Sequence, residues 1–134
     1  MNTVEHALIN DQGKAVLLLA PPGIEWPAIH LEKFGTYCGP GHGIGDLLVP
    51  DTMWGLKVSA ACYVHDFMWA VAEPSWADFH YSNSVFLHNL LRIIDAHGGI
   101  LKYLRSYRAV TYYAAVDSVA FAKIFWAMKE DQNG

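Results

Sequence analysis

Charge is scarce in this chain: only 16 % of its 134 residues are Asp, Glu, Lys or Arg, against 53 % hydrophobic. An average globular domain carries about 25 % charged residues. A composition this poor in charge implies mostly buried helix, or a surface that meets lipid or another subunit. A basic surplus is also lacking. The formal net charge is -4, which excludes the basic surfaces that nucleic acid selects and adhesion to anionic membranes by charge alone. Cysteine is nearly absent. Cys38 and Cys62 are too few for a disulfide scaffold and leave one bridge or two thiols. No apolar run reaches the roughly 18 residues of a membrane span. The stretch Ala15–Ala20 is short, follows Asp11 and has no basic region before it, so no signal peptide is expected. A single domain is the expectation at this length.

What is present falls into four segments. Residues 1–36 say least: Lys14–Ala20 suits a short strand that Pro21-Pro22-Gly23 would end. Residues 37–50 hold Gly39, Gly41, Gly43 and Gly45 with Pro40 and Pro50, a composition that excludes helix and exposes backbone groups in need of partners. Residues 52–97 read as two helices. Asp51 is the expected N-cap of the first, in which Leu56, Ala60, Tyr63, Val64, Phe67, Met68 and Val71 recur at helical spacing. Pro74 ends it near Ala72. Ser75 and Asp78 then fit a capping box, and Trp76 to about Ala96 should be the second helix, stopped by Gly98-Gly99. Residues 100–129 contain no Pro or Gly and predict a further C-terminal helical region, with Asp131–Gly134 frayed. The expected class is mainly all-α.

The chemistry concentrates in Tyr37-Cys38-Gly39-Pro40-Gly41 and Cys62-Tyr63-Val64-His65-Asp66. On a helix Cys62 and Asp66 are i and i+4 and share a face. If Cys38 bonds to Cys62, the glycine loop is pinned one turn from the Asp66 carboxylate. Such a loop can turn carbonyls inward, and calcium takes about 6–8 oxygen ligands of that kind. His65 lies about 100° round the helix from Asp66. It can face the same cleft as a base that deprotonates water. Asn83 is the odd polar residue on the stripe Phe79, Phe86, Leu87, Leu90. It stands nine residues after Pro74 as His65 stands nine before. A hairpin folded there puts both at one level, about 13 Å from the turn. Asn83 is thereby placed to accept from the second imidazole nitrogen and fix the tautomer.

These segments are similar to the Y-C-G-x-G calcium loop and the C-x-x-H-D helix of the phospholipase A2 family. The likeness is close over roughly 30 residues and extends by architecture through the helical hairpin. It implies calcium held by the carbonyls of Tyr37, Gly39 and Gly41 and by the Asp66 carboxylate. It further implies an oxyanion contact from the Gly39 N–H, His65 as general base against the sn-2 ester, and a Cys38–Cys62 bridge. That bridge would point outside the cytosol, to a secreted or virion- or phage-delivered protein. The partner implied is phospholipid at a membrane interface.

Three departures stand out. Asn83 occupies the position where the family normally has aspartate, which implies slower chemistry or a different supporting residue. Trp69 replaces a tyrosine four residues after the histidine and brings no hydroxyl. A single bridge and a longer loop-to-helix spacing resemble the compact bacterial, fungal, phage or viral members. The competing expectations are a weak or inactive lipid-binding or membrane-perturbing module, and an assembly protein whose low charge reflects oligomerisation. His42, His80 and His88 supply no zinc quartet, since His80 and His88 lie more than two turns apart. Asp78 is better explained as a cap than as the third catalytic residue. The five tryptophans could form a lipid-facing rim, with Trp54 and Trp69 near the cleft, although aromatics in a helical protein are more often core.

Overall fold

A computed structural model describes residues 1–35 and 52–133. Among these residues four helices dominate, with two small antiparallel hairpins before them: β1 (Val4–Ile9), β2 (Ala15–Ala20), β3 (Thr52–Met53), β4 (Leu56–Lys57), α1 (Ser59–Val71), α2 (Trp76–His97), α3 (Lys102–Val116) and α4 (Val119–Asn133). A 3₁₀ turn spans Leu31–Lys33. The mainly helical expectation holds at that coarse level. The glycine loop lies outside the described residues.

The strand expected at Lys14–Ala20 is β2, paired antiparallel with β1 from Val4↔Ala20 to Ile9↔Ala15. Its alternation buries Val16, Leu18 and Ala20 and leaves Leu17 exposed, the period-two pattern of a sheet covered on one face. α2 covers that face. Asn89 accepts from the Leu19 N–H at 2.8 Å and donates to the Leu19 carbonyl at 2.8 Å. Arg92 reaches the Glu5 carboxylate at 2.7 Å and the Leu17 carbonyl at 2.9 Å.

The first predicted helix begins later than expected. Thr52–Lys57 is a hairpin, and the N-cap position of α1 belongs to Val58, not Asp51. Trp54 and Gly55 both take positive φ, 44° and 82°, as a two-residue hairpin turn requires. Leu56 fits a helical stripe as well as a strand, so spacing alone could not separate the two. The Arg105 guanidinium, buried on α3, secures the turn by donating from Nε to the Met53 carbonyl at 3.0 Å and from Nη2 to the Trp54 carbonyl.

α2 forms where the spacing predicts. The Ser75 hydroxyl accepts from the Asp78 N–H at 3.1 Å, which satisfies a donor the helix start leaves open, and the Asp78 carboxylate ties down the chain before the cap by accepting from the Glu73 N–H at 2.8 Å. Gly98 ends it at φ 68°. The C-terminal region is two helices rather than one. Asp117 caps α3, and the Ser118 hydroxyl accepts from the Phe121 N–H at 3.4 Å as α4 begins. The tail expected to fray stays helical to Asn133. Lys129 and Gln132 both donate to the Ala70 carbonyl, at 3.2 Å each. A cation at the C-terminal end of α1 suits the negative end of that helix.

Phe79, Phe86, Leu90, Ile93 and Ile94 of α2 are fully buried and form the centre of the core with Trp69 of α1 and Phe125 of α4. Rings meet at steep angles where the three helices come together: Phe79 and Phe125 centroids are 5.3 Å apart and tilted, and Trp69 meets Phe125 edge-on at 5.4 Å. Burying aromatic side chains of this size stabilises the meeting point of the helices.

Candidate functional site

α1 and α2 turn about Pro74 in opposite directions, so residue pairs match across the hairpin: Trp69 meets Phe79 and His65 meets Asn83. His65 has no exposed surface and lies between Trp69 and Phe86, 4.8 Å from each ring centroid. Its Nε2 is 2.7 Å from Asn83 Oδ1.

The bonds of Asn83 fix which way its amide points and hence the tautomer of His65. Trp69 Nε1, a donor only, lies 3.2 Å from Asn83 Oδ1. The Val116 carbonyl, an acceptor only, takes Asn83 Nδ2 at 3.1 Å, and Asp117 Oδ1 takes it at 3.0 Å. The amide oxygen therefore faces His65, and His65 Nε2 must be the N–H that donates to it. Nδ1 is left as a bare lone pair, buried and without a hydrogen-bond partner among the described residues.

Two other buried side-chain nitrogens there are unpaired, His6 Nε2 and Asn10 Nδ2. Both carry hydrogen, since His6 Nδ1 accepts from Trp26 at 3.3 Å and Asn10 Nδ2 is an amide nitrogen. His65 Nδ1 is thus the one unspent basic nitrogen of the three. Burial lowers its pKa to about 4, against the raising effect of the Asn83 bond. The imidazole is held in its neutral, basic form.

Asp66 is half-buried beside it. Burial pushes its carboxyl up to about 8, because charging a carboxylate away from water is costly without a partner. No hydrogen bond or ion pair reaches that carboxylate from the described residues. Tyr37, Gly39 and Gly41, the other expected calcium ligands, lie outside the described residues, as does the expected oxyanion contact of Gly39. Among the described residues there is no group of three His, Cys, Asp or Glu able to hold a metal by themselves. Cys62 is buried and disulfide-bonded, while Cys38 lies outside the described residues.

Of the two readings open for the tryptophans, Trp69 takes the core one. It is 2 % exposed, so it belongs to the core rather than to a lipid-facing rim. It also keeps a place in the polar network, because its indole N–H donates to Asn83 where a hydroxyl was missing. Trp54 and Trp76 are exposed.

Sequence reasoning passed over Asp117. Its Oδ1 receives Asn83 Nδ2 and also lies 2.7 Å from His80 Nδ1 on the outer side. Burial first, and then the Asp117 carboxylate, raise the Tyr113 hydroxyl. One signal was available: Asp117 is the only acid between Asp95 and Glu130.

No helix among the described residues is long and apolar enough to cross a membrane. No family model, no curated protein and no solved structure matches this chain.

Proposed function

We propose that the chain is a calcium-dependent phospholipase A2-like hydrolase that cleaves the sn-2 ester of glycerophospholipids with His65 as its base. The observation that carries this reading is the buried imidazole with a fixed tautomer and a bare Nδ1. A histidine serving packing alone has no need of a locked N–H on one side and an unspent lone pair on the other.

In this reading a water enters against Nδ1. His65 takes its proton while the Nε2–H stays bonded to Asn83 Oδ1, so the ring cannot turn away. The resulting hydroxide adds to the ester carbonyl. The tetrahedral intermediate then expels the glycerol oxygen, which takes the proton back from Nδ1, giving a fatty acid and a lysophospholipid. Asp66, with the carbonyls of Tyr37, Gly39 and Gly41, would hold the calcium. Bound there, calcium supplies positive charge for the carbonyl oxygen, and the Gly39 N–H would add a second contact.

The Cys38–Cys62 pairing is supported by Cys62 being disulfide-bonded. A bridge of this kind favours action outside the reducing cytosol. The outer side of α3 supports a lipid-surface substrate. Tyr103, Leu104 and Tyr107 of α3, with Ile100 in the turn just before it, are all more than half exposed, an apolar stripe turned toward solvent.

A second reading is a lipid-binding or membrane-perturbing module without turnover. It is favoured by the absence of any exposed surface on His65. Release of sn-2 fatty acid with and without a chelator separates the two. Hydrolysis should require calcium and fall by about 10²–10⁴ in His65→Ala. Release that survives chelation or His65→Ala overturns the hydrolase, and vesicle leakage unchanged by His65→Ala establishes the module.

A further inference from the structure

The position where the resembled family carries a carboxylate holds an amide here, yet a carboxylate lies directly behind it. Asn83 spends all four of its hydrogen-bonding positions. Oδ1 accepts from His65 and Trp69, and Nδ2 donates to the Val116 carbonyl and to Asp117 Oδ1. Of these four partners only Asp117 is ionisable to an anion. It comes from the C-terminal cap of α3, a helix that packs against α2, and its own N–H is tied to the Tyr113 carbonyl at 2.9 Å. On its solvent side His80 Nδ1 lies 2.7 Å from the same oxygen, and the His80 ring stacks on Trp76 at 5.7 Å. The carboxylate is therefore held from two sides and aimed at one amide.

We infer that Asp117 is a positioning residue for His65, acting through Asn83: it holds the amide with its oxygen toward His65 and polarises it with a negative charge. The Val116 carbonyl takes one hydrogen of Nδ2 and Asp117 takes the other. With both spent, the amide cannot flip without placing its oxygen against two acceptors. A carboxylate on the NH₂ side also draws those hydrogens outward and raises electron density on Oδ1, the cooperative effect expected along a chain of hydrogen bonds that runs into the interior. His65 thus meets a more strongly accepting oxygen than a neutral amide alone presents. No proton needs to move along the chain, because the acceptor to His65 stays an amide throughout. This inference rests on the reading of His65 as a base.

The test uses the whole chain and two variants, Asp117→Ala and Asp117→Asn. Two independent readouts are taken: the imidazole ¹⁵N shifts of His65, which report the tautomer without any turnover, and kcat and KM for sn-2 ester release with calcium. The wild type should show Nε2 protonated and Nδ1 bare. Asp117→Ala should move both nitrogens toward the average of the two tautomers. It should lower kcat roughly tenfold, the lower end of what a partner behind a functional histidine is worth, with KM within about twofold. Asp117→Asn can still accept from Asn83, so it should keep the wild-type ¹⁵N pattern and lose a smaller part of kcat. A wild-type ¹⁵N pattern in Asp117→Ala overturns the inference, as does a variant that loses only thermal stability. If the wild type releases no fatty acid, the proposed function fails, and the ¹⁵N readout still decides the role of Asp117. If Asp117→Ala does not fold, Asp117→Asn decides: an averaged tautomer there, or a kcat equal to wild type, overturns the inference.

Discussion

Two asparagines on α2, Asn83 and Asn89, have no exposed surface, and in both the amide oxygen and nitrogen each have a hydrogen-bond partner. Asn89 closes on one backbone unit: it takes the Leu19 N–H and gives to the Leu19 carbonyl. Nothing titratable enters that exchange, and every atom is spent. Asn83 closes on an imidazole, an indole, a carbonyl and a carboxylate, and one atom of that group, His65 Nδ1, remains unspent. Burial and satisfaction are therefore common to a structural amide and a candidate catalytic one. What separates them is whether the network ends on a basic atom with nothing to do.

The comparison can be broken in four ways, taken from the largest expected effect to the smallest. Asn83→Asp restores the carboxylate of the resembled family but sets it against Asp117 and the Val116 carbonyl. It should cost about 3–5 kcal/mol, as an uncompensated buried charge does. Adding Asp117→Asn should return part of that loss, because the two carboxylates then no longer face one another. Urea denaturation of the single and double variants measures both. Equal stability of the two would show that Asp117 does not face position 83 in solution.

In the proposed function calcium would act on one asparagine's neighbourhood and not on the other's. At about a hundredfold excess over its dissociation constant it should stabilise the wild type by about 2.7 kcal/mol. Asp66→Asn should lose that gain, and Asn89→Ala should keep it. Thermal unfolding with calcium and with chelator reads all three.

Asn89→Ala leaves the Leu19 N–H and carbonyl without their side-chain partner. About 1–3 kcal/mol of stability should be lost with kcat for ester release unchanged. A comparable fall in kcat would erase the distinction between the two asparagines. The smallest change concerns the turn that sets the register of the hairpin. Ser75→Ala removes the cap of α2 and should cost about 1 kcal/mol, with the His65 ¹⁵N pattern retained. A shifted pattern would mean that the His65–Asn83 pairing depends on that cap more than on the packing around Phe79 and Phe86.

Some of this was legible along the chain because it depends on near neighbours. The capping box is a three-residue relation, and it puts α2 where the structure has it. The meeting of His65 with Asn83 follows from equal offsets about Pro74, since helical rise is the same on both sides of a tight turn. The alternation in Ala15–Ala20 is likewise local. Thr52–Lys57 was misread because Leu56 fits either period, and a positive φ at Trp54 leaves no trace in residue type. β1 escaped notice because Val4, His6 and Leu8 are an alternation of mixed polarity that only pairing with β2 makes decisive. The break at Asp117-Ser118 was hidden by the absence of Pro or Gly, the breakers on which the reading relied.

The sequence by itself determined the helical hairpin, its cap and the pairing of one histidine with one amide, because each is set by spacing within a few turns of the chain. Only the tertiary structure decided what that amide leans on. Asp117 is 34 residues from Asn83, and Asn89 is 70 from Leu19. Over such separations no periodicity carries information, and partners are chosen by which helices and strands pack together and which buried polar groups must then be satisfied.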